Sequence, residues 1–163
     1  MAKHSGKIIF VILFGIIIIQ TTFIPQLSVY KIVPNLAVSF LAALAVIRKK
    51  NIFKMAFLTG LILDVFSGLS FGIITTSLIL SVFVISVLSS KFLKNPEVIV
   101  LALIAFLGVI TYNLVLFTLA NLSSLSIILD NTVQILLIIG LKIIFETVMA
   151  LMFYKFALKL NGQ

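Results

Sequence analysis

Apolar runs separated by short links follow one another from Ile8 to Tyr154, and nearly every basic residue falls in alternate links. A soluble domain carries charge on about a quarter of its residues. Here charged residues make up 10% and hydrophobic ones 63%, so the solvent to reason about is lipid rather than water. A helical crossing of a hydrocarbon core roughly 30 Å thick needs about 20 mostly apolar residues. The 163 residues therefore have room for six crossings and no soluble domain of any size. The expected architecture is a single all-α integral-membrane domain over residues 1–163 with six transmembrane helices.

The expected spans are Ile8 to Ile24, Leu36 to Ile47, Met55 to Phe66, Phe71 to Leu88, Val98 to Ala120 and Val133 to about Tyr154. Pro25 ends the first, and Pro34 is expected to start the helix of the second. The basic start, with Lys3, His4 and Lys7, resembles a signal peptide, but no small-x-small cleavage site precedes Pro25, so it reads as a retained first span. Lys3, Lys7, Arg48, Lys49, Lys50, Lys54, Lys91, Lys94, Lys155 and Lys159 share one side, against Lys31 alone on the other. By the positive-inside rule both termini are then cytoplasmic. A re-entrant hairpin of stretches two and three would keep the same parity. It would also bury four cations near the bilayer centre at roughly 2.5 to 3.5 kcal/mol each, and is disfavoured for that reason.

A net charge of +8 in a soluble protein would suggest nucleic acid, but these cations sit in membrane links, where they set topology and meet anionic lipid. No nucleic-acid partner is expected. The absence of cysteine excludes disulfides, thiolate metal sites and cysteine nucleophiles. His4, the single histidine, lies in the tail, away from any intramembrane base or metal site. No phosphate-binding glycine loop or nucleophile elbow is present, and the carboxylates Glu97 and Asp130 lie at span edges. Neither catalysis nor a cofactor is expected.

Three ionisable residues fall inside spans: Asp64, Lys142 and Glu146. Such groups are costly in lipid and are usually functional or paired. At about 1.5 Å per residue, Asp64 and Lys142 both come out near mid-depth. Glu146 follows Lys142 by one turn, so the lysine is expected between two carboxylates if spans three and six are neighbours. Gln20, Tyr112 and Asn113 are candidates to add uncharged hydrogen-bonding groups to the same interior. Two readings stay open, a packing network that fixes helix docking and a ligand or proton site.

Gly60-Leu-Ile-Leu-Asp64-Val-Phe-Ser67-Gly68-Leu-Ser-Phe-Gly72 is the most distinctive local pattern. It reads as a helix that ends early in a turn. An anion near a helix C-terminus is disfavoured by the macrodipole, so Asp64 needs a cationic or donor partner, for which Lys142 is the candidate. Gly68 and Gly72 fit either a small-xxx-small helix contact or, more simply, a hinge. The serines from Ser77 to Ser90 need no more than bonds to carbonyls of their own helix.

The order of these features resembles the MreD family, small integral-membrane components of the bacterial rod-shape machinery. The resemblance rests on Gln20-Thr21-Thr22 closing span one, Pro34-x-Leu36 entering span two, the basic link, and the Gly60 to Gly72 motif with Asp64, Ser67 and Gly68. Asn35 stands where the family usually has aspartate. Size and six-span layout match over the whole chain.

The resemblance implies a non-enzymatic scaffold of the bacterial cytoplasmic membrane that binds MreC and, through it, links MreB to RodA and a class B penicillin-binding protein in lateral peptidoglycan synthesis. It also implies a fold similar to the substrate-binding subunits of energy-coupling-factor transporters. A vitamin-binding subunit or other small carrier is accordingly the alternative function. Against that alternative, span one lacks an Ala-x-x-x-Ala docking surface and the chain has no tryptophan to stack on a flat ligand.

Overall fold

In the computed structural model, residues 2–22, 34–47, 51–92, 98–123 and 132–160 are described. They form helices and turns only. The helices are α1 (Ala2–Thr22), α2 (Leu36–Val46), α3 (Ile52–Ser67), α4 (Ile73–Phe92), α5 (Val98–Ser123) and α6 (Thr132–Leu160). The fold is thus all-α, as expected, with small shifts in the ends. α4 starts two residues later than the apolar pattern suggests, because Phe71 and Gly72 belong to the turn, and α6 runs on past Tyr154. Lys31, Arg48, Lys49, Lys50 and Lys94 lie outside the described residues, as do Pro25, Glu97 and Asp130.

The helix that organises the rest is α2. It touches all five others, and every residue from Ala37 to Val46 is buried. Ala37, Ala42, Ala43 and Ala45 contribute almost no side-chain bulk, which lets neighbouring backbones approach closely. A helix that is apolar on every face belongs in an interior. At 11 residues it is about 16 Å long, roughly half a hydrocarbon core.

Two glycines set the spacing of the neighbouring helices. A Cβ on Gly60 of α3 would lie 2.5 Å from the Thr75 Cα of α4, so only glycine allows that crossing. Gly108 of α5 likewise packs under Ile85 of α4, and the Ser81 hydroxyl donates to the Gly108 carbonyl at 2.7 Å. This serine makes an interhelical bond where an intrahelical one was expected, whereas Ser77 does bond within its helix, to the Ile73 carbonyl. α2 runs parallel to α6, Asn35 and Ser39 meeting Glu146 and Phe40 meeting Phe153 edge-on at 5.4 Å between centroids.

Two described stretches, Ile73–Phe92 and Ile99–Leu122, are long and apolar enough to cross a membrane. Shorter apolar helices cover Ile9–Thr22 and Leu36–Val46. Large apolar side chains also face outward on several helices, among them Val11, Phe57, Phe83, Leu103 and Ile144. Soluble monomers rarely show contiguous apolar surface on that scale.

Candidate functional site

The first turn of a helix has backbone N–H groups with no partner in the helix itself, and leaving them dry and unpaired is costly. α2 and α4 both begin among buried residues, and each start is closed by a carboxylate from another helix.

At α4 the carboxylate is Asp64. Its Oδ1 accepts from the Ile74 N–H at 2.8 Å, while Oδ2 accepts from the Thr75 N–H at 3.1 Å and the Thr75 hydroxyl at 2.5 Å. The intervening turn makes this reach possible. Gly68 caps α3 at φ +69° and Gly72 enters α4 at φ +96°, left-handed values that L side chains adopt only with strain. Ser67 steadies the corner, donating to the Asp64 carbonyl at 3.1 Å and accepting from the Leu69 N–H at 3.2 Å. Gly68 and Gly72 thus lie in the turn between α3 and α4, with nothing within 4 Å of where a Cβ would stand on either.

At α2 the groups come from its own cap residue and from three other helices, α1, α5 and α6. Asn35 is the N-cap, its Oδ1 accepting from the Val38 N–H at 3.1 Å, and Pro34 precedes the cap instead of occupying the first helical position. The Asn35 N–H donates to Glu146 Oε1 at 2.8 Å, and its Nδ2 donates to the Tyr112 hydroxyl at 2.8 Å. Asn113 Nδ2 donates to Glu146 Oε2 at 2.9 Å, while Gln20 Oε1 accepts from the Ala37 N–H at 3.0 Å. Ser39 ties α2 to α6 again through the Glu146 carbonyl at 2.9 Å. Glu146 is 0% exposed and Lys142, 20% exposed, lies 3.8 Å from it. Its oxygens sit against the positive end of the α2 dipole, the favourable placement for hydrogen-bond acceptors.

Gln20, Asn113, Lys142 and Glu146 thus come together as expected, but Asp64 does not join them. Lys142 pairs with Glu146, and the Asp64 oxygens are taken up by α4, so the lysine between two carboxylates is not formed. Asp64 does have donor partners. The donor is a helix start, which has no charge to see in the sequence. Asn35 and Ser39 are the members not foreseen for this network, although a polar residue just before an apolar run is an N-cap signal.

Between the two helix starts lies a cleft of about 250 Å³, walled by Gln20, Thr21, Asn35, Leu63, Phe66, Ser67 and Ile74. Among the described residues there is no group of three or more histidines or carboxylates able to hold a metal. Both buried carboxylates are engaged by backbone and amide donors. What this arrangement does chemically is to fix helix ends.

Comparison with family models, curated proteins and solved structures returned no match for the chain.

Proposed function

We propose that this chain is a non-enzymatic membrane scaffold of the MreD type, serving bacterial cell elongation by docking partner helices. The observation that carries the reading is the use made of the two buried carboxylates. Asp64 and Glu146 both close helix starts within the bundle, so among the described residues neither buried carboxylate faces a substrate as an acid or base. A polar network that fixes how helices dock suits a protein whose product is a surface.

In this proposal the chain crosses the cytoplasmic membrane with both termini inside. α2 is a half-length helix whose start lies at mid-depth, where closed helix ends matter most because no lipid can satisfy them. A cysteine at Asn51, between α2 and α3, tests the orientation, since the chain has no background cysteines. Labelling from the cytoplasmic face alone is expected, and labelling from the outer face would reverse the topology.

The partners proposed are MreC and, through it, MreB, RodA and a class B penicillin-binding protein. Affinity purification from the native membrane in mild detergent tests this. Recovery of a single-span periplasmic coiled-coil protein with cell-wall synthases is the expected result. The cleft beside Gln20 and Asn35 favours a second reading, a substrate-binding subunit of a vitamin transporter. Co-purification of paired ATPases with their coupling protein, or of a tightly held vitamin, would replace the scaffold with that reading.

A further inference from the structure

The contact of α1 with α3 is an apolar seam with only about 10 Å³ of free space, apart from the polar site. Phe10 and Phe14 of α1 face Met55, Leu58 and Ile62 of α3 across it. The outer side of α3 carries a shallow hollow of about 390 Å³ lined by Phe53, Lys54, Phe57 and Leu58, and Leu58 also borders the seam. Phe10, Phe14, Phe53, Phe57 and Leu58 are each 43% to 49% exposed, so the fold itself does not cover them. Lys54 is exposed and forms no ion pair among the described residues.

A cation at the rim of an apolar hollow matches one ligand chemistry closely. The phosphate of an anionic lipid takes the lysine, and an acyl chain takes the floor. Lysines near a membrane surface attract anionic headgroups, and their long stems let the charge sit at the interface while carbon packs below. A partner helix without an acidic residue would match the apolar strip but leave Lys54 unpaired.

We propose that the outer face of α1 and α3 around this hollow binds one anionic phospholipid, its phosphate held by Lys54 and an acyl chain laid along Phe57 and Leu58 toward the exposed rings of Phe10 and Phe14. The inference rests on the membrane reading above, and its test separates the two. The chain contains no tryptophan, so F57W creates a single fluorescent reporter in the hollow, and F83W creates one on the outward face of α4, where Phe83 is 54% exposed. Each variant is reconstituted into phosphatidylcholine vesicles containing a minor fraction of phosphatidylglycerol, with one or the other lipid brominated to quench.

One lysine–phosphate contact predicts about fivefold enrichment of phosphatidylglycerol at the F57W reporter. Little or none is expected at F83W, and adding K54Q to F57W should abolish the preference. Equal enrichment at both reporters would overturn the site in favour of the general field of the basic links. A preference that survives K54Q would remove Lys54 from it. Weak quenching by both lipids at F57W, with normal quenching at F83W, would mean that protein, such as a second copy, fills the hollow. No quenching at either reporter would instead overturn the membrane reading itself.

Discussion

The starts of α4 and α2 solve one physical problem in two ways. At α4 the carboxylate lies ten residues before the N–H it accepts from, and a single turn connects them. At α2 the carboxylate lies 111 residues away, on the last helix of the chain. The local solution needs only that α3 and α4 form a hairpin. The distant one needs α5 and α6 in place as well, since Tyr112, Asn113 and Glu146 all come from them. Closing a longer loop costs more entropy, though only slowly with length. The greater difference is in dependence, because the distant cap fails if any of several helices is misplaced.

Glu146→Ala should have the largest effect. It strands Lys142 and leaves the Asn35 N–H and one Asn113 bond without an acceptor in a buried place. Breaking a buried pair from one side costs about 3–5 kcal/mol. Thermal unfolding in detergent should show a loss of that order, and the double change with Lys142→Met should regain part of it. Hydrogen exchange sharpens the comparison. The first turn of α2 should lose protection while the α3–α4 corner keeps it, and equal loss at both would mean that the two starts are one cooperative unit.

Asp64→Ala comes next, with a cost of about 2–3 kcal/mol, between that of an N-cap and that of buried hydrogen bonds to a charged group. No cation is stranded here, which is why the effect is smaller. Folded yield and partner recovery should fall together, and exchange should rise at Ile74 and Thr75 first. Normal yield with normal partner recovery would count against the proposed structural role.

How much of this could be read from residues alone divides along the same line. Gln20, Asn113, Lys142 and Glu146 are polar within apolar runs, and that contrast was enough to group them. Asp64 is equally visible, but its partner is a helix start and not Lys142. Counting residues along helices gives depth and no lateral position, so Asp64 and Lys142 at similar depth looked adjacent. The short turn from Ser67 to Gly72 held the needed signal, because a tight hairpin brings the end of one helix to the start of the next. The inward start of α2 was less legible. Its short apolar run looked like a marginal crossing, and only the full burial of Ala37 to Val46 shows it as an interior half-helix.

Gly60→Ala attacks the local cap through packing, leaving every hydrogen-bonding group in place. The new methyl would press on the Thr75 backbone, which cannot swing aside as a side chain can, and Thr75 is the residue that Asp64 holds. Overpacking of this kind costs about 1–3 kcal/mol. Gly15→Ala and Gly140→Ala are the controls, since nothing lies within 4 Å of either added methyl. Both should unfold at the temperature of the unmodified chain or slightly above it. A loss at Gly15 or Gly140 equal to that at Gly60 would show that helix-glycine flexibility, rather than the α3–α4 crossing, is what matters.

The smallest effect is expected at Tyr112→Phe, which tests how much redundancy the distant cap has. The change removes the hydroxyl that accepts from Asn35 Nδ2 and keeps the ring that fills the core. Asn35 would still cap Val38 through Oδ1 and still donate its N–H to Glu146. Hydrogen bonds between membrane helices average about 0.6 kcal/mol, so a shift near that size is the expected outcome in thermal unfolding. A loss approaching that of Glu146→Ala would mean that the phenol positions Asn35 for all its other bonds. In that case the α2 start would behave as one rigid unit hung on α5, and its sensitivity would reflect the fit of two helices more than the charge of Glu146.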